Sequence, residues 1–143
     1  MNQWVDAEVR VRFEEVDPWQ MVWYGRYLSY FEVARTALME RFELLADRIV
    51  LLGYRTPIVS LHCQFKAPAR FNDLLQIRAT VKAPETASLT FLFEIHRPAD
   101  RALIAVGETS HVLLSEEGKM IYKFSGPLRE RIDRMVAFCN PSP

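Results

Sequence analysis

Three carboxylates and three large aromatic side chains lie within positions 14–25 of the chain. Among them, Asp17 precedes Pro18, which restricts the Asp17 backbone to extended conformations and limits where its carboxylate can point. No Ser, Thr, Asp or Asn follows between Val22 and Gly25 to cap the helix predicted from there on, so its first N–H groups are free donors at the positive end of a dipole. A carboxylate beside such donors can form both halves of an acyl-transfer site: one group that attacks or activates water, and one that stabilises the oxyanion.

Each of these features also has a structural interpretation. An Asp before Pro commonly accepts hydrogen bonds within an Asx turn. Water or another loop can satisfy the uncapped helix donors. The residues alone leave both interpretations open.

Other chemistries lack the residues that they need. The five glycines are all isolated, which excludes a dinucleotide fingerprint and a phosphate loop, and no GxSxG is present. The three histidines, His62, His96 and His111, are scattered along predicted strands without a nearby Cys/His cluster. We therefore predict no metal site.

The hydrophobic pattern predicts the elements that must position these residues. Apolar and polar residues alternate over Val5–Phe13, which indicates a half-buried strand. From Gly25 the period changes to three and four, which predicts one long helix of about six turns. Alternation returns after Pro57 for four or five strands, and Pro127 opens a short C-terminal helix. This order predicts an α+β protein, with one long central helix wrapped by a curved antiparallel sheet of five or six strands.

Composition narrows the possible partners and location. The chain has 143 residues, enough for one domain, and 18 basic residues balance 18 acidic ones. This balance argues against non-specific binding to nucleic acid, and no apolar run is long enough to span a membrane. Two cysteines without a CxxC spacing predict reduced thiols in the cytoplasm. A single sheet around a single helix leaves an open edge, which oligomerisation would close.

From position 11 the sequence reads VRFEEVDPWQMVWYGRYLSYFEVAR. This segment resembles the signature of hotdog-fold acyl-CoA thioesterases of the 4-hydroxybenzoyl-CoA thioesterase type, with Asp17, Tyr24 and the Phe-Glu-x-Ala-Arg helix at matching spacing. FKAPARFNDLL from position 65 is similar to the family's second block, and the order of elements matches over roughly residues 5–125. One residue departs: the family often has Gly three residues after the Asp, where this chain has Gln20.

The resemblance implies one thioesterase domain over residues 1–143 that hydrolyses a fatty or aromatic acyl-CoA to the acid and CoA. Asp17 would attack the thioester or activate water, and the backbone N–H near Tyr24 would polarise the carbonyl. Neither a metal nor a cofactor is implied. Subunits of the family pair as homodimers or homotetramers, so Val59 and Ser60 would line the pocket from the partner.

Several side chains are candidates for substrate contacts. Lys66 and Arg70 flank Pro68 and are candidates for the phosphates of CoA, with solvated strand-end charges as the structural alternative; Lys82 and Arg97 are weaker candidates. Trp23, Gly25 and Tyr27 are further candidates for binding substrate. The side chains predicted to line an acyl pocket are Trp19, Trp23, Tyr27 and Tyr30, although an aromatic stripe at helical spacing is more often core.

Two other functions compete with hydrolysis. The first is a non-catalytic acyl-binding or carrier-protein-interacting module of the same fold. The second is a hotdog dehydratase, which usually needs a catalytic His, and no His lies in the loop or the helix. On the helix, Glu32 and Arg35 are three residues apart and are predicted to pair with each other.

Overall fold

A computed structural model describes residues 2–142 of the chain. The helices are α1 Arg26–Glu40, α2 Ala46–Leu51 and α3 Gly126–Cys139, and a short 3₁₀ turn covers Phe13–Glu15. The strands are β1 Val5–Arg10, β2 Tyr54–Arg55, β3 Ile58–Phe65, β4 Leu74–Val81, β5 Ser88–Arg97, β6 Ala102–Ser115 and β7 Met120–Ile121.

The strands form one antiparallel sheet. The five long strands are ordered β1-β4-β5-β6-β3, and the two-residue strands β2 and β7 pair with the last residues of β6. The predicted α+β architecture with an antiparallel sheet is confirmed. Within residues 2–142, β3 has β6 as its one long neighbour, so β3 is an edge of the sheet.

The central helix packs across β1, β4 and β5. In β4 and β5 the predicted alternation is confirmed, because every second residue points into the core. Phe31 of α1 stacks on Phe93 of β5 with ring centroids 4.8 Å apart. Gly107 of β6 makes this approach possible, since a Cβ at that position would lie 2.4 Å from the Phe31 ring. The buried apolar residues of these strands are Leu75, Ile77, Ala79, Val81, Leu89, Phe91, Phe93 and Ile95, and Thr80 on the opposite face of β4 is buried as well.

The prediction of one continuous helix of about six turns is wrong. The α1 helix ends at Glu40, and Glu43 has φ +57°, which no right-handed helix accommodates. The N–H of Leu44 turns back to the carbonyl of Met39 at 3.0 Å, and α2 begins at Ala46. Phe42 and Leu45, the last residues of the predicted stripe, are half-buried against the core on either side of this break, whereas Leu44, which lies outside the stripe, is fully buried. The hydrophobic period therefore indicates that Phe42 and Leu45 pack against the core, but it does not reveal the break between α1 and α2, where the sequence has no Gly or Pro.

The first strand is also shorter than its alternation suggests. It ends at Arg10, and the Phe13 side chain is 76% exposed in the 3₁₀ turn. Two residues after Phe13, the charged residue Glu15 is buried, so the alternation of apolar and polar residues does not predict burial in this turn.

The remaining predictions concern the C-terminal helix and the chain's surroundings. As predicted, α3 carries Pro127 in its first turn. Both cysteines, Cys63 and Cys139, are free. None of the helices formed by residues 2–142 has the length and apolar character needed to cross a membrane. The cytoplasmic location stays a prediction.

Candidate active site

A buried carboxylate anchors the loop that precedes α1. Glu15 Oε1 accepts hydrogen bonds from the N–H of Arg12 at 2.8 Å and from the hydroxyl of Tyr30 at 3.0 Å. The Glu15 carbonyl accepts from the N–H of Trp23 at 2.9 Å. Burial, together with the neighbouring Glu15, raises the pKa of Tyr30, so its hydroxyl stays a protonated donor. These bonds fix both ends of the loop to the helix that it enters.

Asp17 occupies a tight turn inside this loop. Its Oδ1 accepts from the N–H of Trp19 at 2.9 Å and from the N–H of Met21 at 3.4 Å. Gln20 has φ +66°, the left-handed conformation that glycine tolerates most easily. Asp17 Oδ2 accepts no hydrogen bond from residues 2–142. One carboxylate oxygen therefore forms the Asx turn, and the other is available for chemistry.

The start of α1 has free backbone donors, in agreement with the absence of a capping residue. Gly25 occupies the cap position without a side-chain hydrogen bond. The N–H groups of Arg26 and Tyr27 turn back to the carbonyls of Trp23 and Tyr24, at 2.9 and 3.4 Å. In the described part of the chain, the amides of Tyr24 and Gly25 have no acceptor. Two unpaired N–H groups therefore lie at the positive end of the helix dipole.

A cleft of about 460 Å³ opens beside these groups, and both Asp17 and Tyr24 border it. Tyr27 forms its buried wall and packs edge-on against Phe65, with ring centroids 5.1 Å apart. Burial raises the pKa of Tyr27, and the charge of Asp17 adds to the increase. The cleft is lined by Asp17, Met21, Val22, Tyr24, Tyr27, Phe65, Lys66, Ala67 and Pro68.

Trp23 and Gly25 lie on the other side of Asp17. They border a neighbouring groove of about 420 Å³, which Asp17 also lines. The Trp23 ring covers Gly25 so closely that a Cβ there would lie 2.2 Å from it. The ring of Tyr24 packs at 4.9 Å from that of Trp23 and is 65% exposed as a side chain. Tyr24 therefore offers the site its backbone amide in a fixed position and a largely solvated phenol.

The four candidate cations differ in their partners. Lys66 lines the cleft, and Arg70 contacts the loop carbonyl at position 20 at 3.5 Å. Neither forms a salt bridge within residues 2–142. By contrast, Arg97 forms ion pairs with two aspartates, and Lys82 forms one with a glutamate. The first two cations are thus available to a ligand, and the last two have protein partners.

Val59 and Ser60 lie on the edge strand β3 and are not among the residues that line the cleft. Both are exposed. Within one chain, the structure does not bring them to Asp17.

Sequence reasoning missed a second polar cluster, beside a cavity of about 280 Å³. Arg35 pairs with Glu32, as predicted, and also contacts Nε2 of the buried His111 at 2.8 Å. Nδ1 of His111 lies 3.1 Å from the carbonyl of Thr56. Burial and the adjacent Arg35 lower the pKa of His111. The sequence signal that could have revealed this cluster is His111 itself, a polar residue at a core-facing position of β6. No group of three or more His, Cys, Asp or Glu within residues 2–142 is arranged to hold a metal ion.

Comparison with known proteins agrees with this geometry. Residues 11–132 match the model of the Thioesterase-like superfamily. The chain is 24% identical over 110 residues to a putative acyl-CoA thioesterase, YneP, of Bacillus subtilis, covering 77% of this chain and 79% of that protein. It is 29% identical over 113 residues to the acyl-CoA thioesterase YbgC of Haemophilus influenzae, covering 78% and 81%.

Among solved structures, the fold is similar to that of a 1,4-dihydroxy-2-naphthoyl-CoA thioesterase from Synechocystis. The TM-score is 0.81 at 21% identity, over 92% of this chain and 96% of that one. The relatives favour a hydrolase over a non-catalytic binding module. Since the family model spans most of the sequence and the architecture agrees, the chain belongs to the Thioesterase-like superfamily and is a hotdog-fold thioesterase.

Proposed function

We propose that the protein hydrolyses acyl-CoA thioesters, with Asp17 as the catalytic carboxylate and the amides at the start of α1 as the oxyanion donors. One observation carries the proposal. Among the described residues, Asp17, with a carboxylate oxygen that has no hydrogen-bond partner, and Tyr24, whose N–H has no acceptor, border one cleft. The equally unpaired N–H of Gly25 belongs to the neighbouring groove, which Asp17 also lines. A free carboxylate oxygen can attack a carbonyl carbon or take a proton from water, and free N–H groups can donate to an oxyanion, so a bound thioester would pair with groups of both kinds.

The turn around Asp17 supports its role. Two backbone N–H groups hold Oδ1, which fixes the carboxylate plane and leaves Oδ2 to act. This oxygen either attacks the thioester carbon, with loss of the thiolate, or takes a proton from an attacking water. A thiolate is a good leaving group, so neither route demands a strong general acid from the protein.

The amides of Tyr24 and Gly25 are suited to the developing negative charge. They are backbone donors in a fixed position, and the dipole of α1 adds to their field. Removing one such donor typically lowers kcat by about 10²–10³-fold. The phenol of Tyr24 is not required in this mechanism.

Two features support acyl-CoA as the substrate class. The cleft wall formed by Tyr27 and Phe65 is aromatic and suits a fatty or aromatic acyl group. The relatives named above are acyl-CoA or aroyl-CoA thioesterases. Lys66 and Arg70 are the proposed contacts for the CoA phosphates, because both lack an acidic partner within residues 2–142.

A homo-oligomer completes the proposed site. The outer side of β3 presents unpaired backbone groups together with exposed Ile58, Val59, Leu61 and Phe65. Natural proteins seldom leave a long apolar edge strand uncovered. A second copy on this edge would bring its own Val59 and Ser60 toward the cleft, whose wall includes Phe65 at the end of the same strand.

Thiol release from a panel of aliphatic and aromatic acyl-CoA esters tests the proposal. We expect turnover of at least one class, with chain-length or ring preferences that report the depth of the cleft. A well-folded protein that released no thiol from any ester of the panel would contradict it.

A single turnover in H₂¹⁸O with excess enzyme tests whether Asp17 is the nucleophile, because an unlabelled acid can form only if water cleaves an Asp17 anhydride at the Asp17 carbonyl. If Asp17 activates water, the acid product contains ¹⁸O after one turnover. If Asp17 attacks the thioester and water then cleaves the anhydride at the Asp17 carbonyl, the label stays on the enzyme and the product is unlabelled.

A further inference from the structure

Two exposed phenylalanine rings lie together outside the cleft. Phe13 in the 3₁₀ turn is 76% exposed, and Phe71 before β4 is 55% exposed. Their ring centroids are 5.8 Å apart at an interplanar angle of 87°. We call them the exposed aromatic pair. Two neighbouring aromatic rings left largely in water offer free ring faces to a ligand.

Two arginines lie close to the exposed aromatic pair along the chain. Arg10 donates to the carbonyl of Asn72 at 2.9 Å, directly after the second ring in sequence. Arg70 immediately precedes that ring in sequence. Neither arginine forms a salt bridge within residues 2–142.

The acidic groups nearby already have partners. Arg12 pairs with Glu14 at 3.2 Å and lies 3.6 Å from Glu15. Asp73 pairs with Arg97 at 2.9 Å. Arg12 and Arg97 are each shared between two carboxylates, since Arg97 also pairs with Asp100, so Arg10 and Arg70 are the nearby cations without a salt bridge in the described part of the chain.

This surface is continuous with the proposed catalytic cleft. Arg70 contacts the carbonyl of Gln20 at 3.5 Å, in the turn that also holds Asp17. The adjacent loop is tied to the same region, because the N–H of Val22 donates to the carbonyl of Ala69 at 2.8 Å. These two bonds therefore connect the loop that holds Asp17 to the segment that carries Arg70 and leads into Phe71.

We infer that the exposed aromatic pair and its two arginines bind the adenosine 3′-phosphate end of CoA, an inference that rests on the proposed function. The free ring faces stack on adenine, which presents a π-face of similar size. The arginines contact the phosphates, for which the guanidinium fork is well suited. This surface would favour CoA esters over carrier-protein thioesters, because the phosphopantetheine arm of a carrier protein has no nucleotide.

Paired substrates test the inference. Steady-state kinetics would compare an acyl-CoA with the acyl-pantetheine that carries the same acyl group but no nucleotide. Base–aromatic stacking is worth enough for Phe13→Ala and Phe71→Ala each to raise KM for acyl-CoA by about fivefold or more. We expect kcat on acyl-CoA and both constants on acyl-pantetheine to stay unchanged. Tyr122→Ala is the matched control, since it removes an aromatic side chain that is 82% exposed on another part of the surface.

Titration with adenosine 3′,5′-bisphosphate gives a readout that is independent of turnover. We expect binding to the wild type and a loss of about fivefold or more in affinity in Phe13→Ala and in Arg10→Gln. Equal losses on the two substrates, or unchanged acyl-CoA kinetics in both phenylalanine variants, would overturn the inference. So would a loss confined to carrier-protein thioesters, which would make the surface a protein-docking site. Failure of the wild type to hydrolyse either substrate would count against the proposed function alone, because the titration would still test the nucleotide site.

Discussion

Two polar clusters lie along α1, and they differ in how completely their groups are paired. Before the helix, Asp17 has one free carboxylate oxygen, and the amides of Tyr24 and Gly25 lack acceptors among residues 2–142. Further along, Arg35 bonds to both Glu32 and His111. Each cluster borders a cavity, of about 460 and 280 Å³ respectively.

This difference in hydrogen-bond pairing distinguishes a cluster that can act on a substrate from one that stabilises the fold. Groups that satisfy one another inside a protein fix its conformation, whereas groups held in place but left unpaired are ready for a substrate. On this basis the first cluster is the proposed catalytic site, and the second is a brace between α1, β6 and the segment before β3. The following predictions test that division.

The largest expected effect is on turnover. Asp17→Asn should lower kcat by about 10²–10⁴-fold, the contribution usual for a catalytic acid or base. The amide oxygen of Asn can still accept the two backbone hydrogen bonds of the turn, so thermal unfolding should change little. Glu32→Gln is the matched control on the second cluster. A larger kcat loss in the control than in Asp17→Asn would move the catalytic acid onto the helix.

A pair of substitutions at Gly25 isolates its amide. Gly25 has φ −68°, which proline adopts without strain, and both Pro and Ala introduce a Cβ against the Trp23 ring. Only Pro removes the N–H. We expect kcat of Gly25→Pro to fall about 10²-fold below that of Gly25→Ala. Equal rates would show that the Gly25 amide does not hold the oxyanion.

The second cluster should affect stability instead of turnover. His111→Leu removes the contacts to Arg35 and to the Thr56 carbonyl, which should lower the free energy of unfolding by about 1–3 kcal/mol. Urea denaturation measures this loss, and kcat should stay within about twofold of the wild type. His96→Leu, at a half-buried His on β5, should cost no more than about 0.5 kcal/mol. A large loss of kcat without a loss of stability would place His111 in the reaction.

Protonation of His111 should appear in the pH dependence of stability. Its pKa in the fold lies below the unfolded value of 6.5, so the unfolded chain binds the proton first as the pH falls. The contribution of neutral His111 to the free energy of unfolding is therefore fully present above about pH 6.5. Below that pH it decreases, by at most about 1.4 kcal/mol per pH unit. The slope of unfolding free energy against pH below 6.5 should be steeper in the wild type than in His111→Leu. Parallel curves would contradict the assignment.

The smallest effect concerns the exposed ion pair of α1. An i,i+3 pair contributes about 0.2–0.5 kcal/mol, and Glu32 is half exposed, so Glu32→Gln should change the unfolding free energy by no more than that. A loss above about 1 kcal/mol would mean that Glu32 holds Arg35 against His111 and is part of the brace.

The sequence predicted the parts of the fold that depend on periodic burial. Strands β4 and β5 follow the predicted alternation apart from the buried Thr80 and the outward Leu92, and α1 begins where the period changes at Gly25. It did not predict the break at Glu43, because a left-handed Glu leaves no trace in the hydrophobic pattern. Asp17 and the uncapped amides were predictable, since both follow from local residue types. The contact between Arg35 and His111 was not, because it joins residues 76 positions apart.

Gly107 couples the middle of the sheet to the entrance of the central helix. Its missing side chain lets Phe31 seat deeply against the sheet, and Phe31 lies less than two helical turns from Gly25. Any larger residue at position 107 would push Phe31 and the first two turns of α1 away from the sheet, which would reorient the backbone N–H groups at the start of α1. A substitution at position 107, remote from the reacting atoms, would therefore lower kcat even though every residue that lines the cleft keeps its identity.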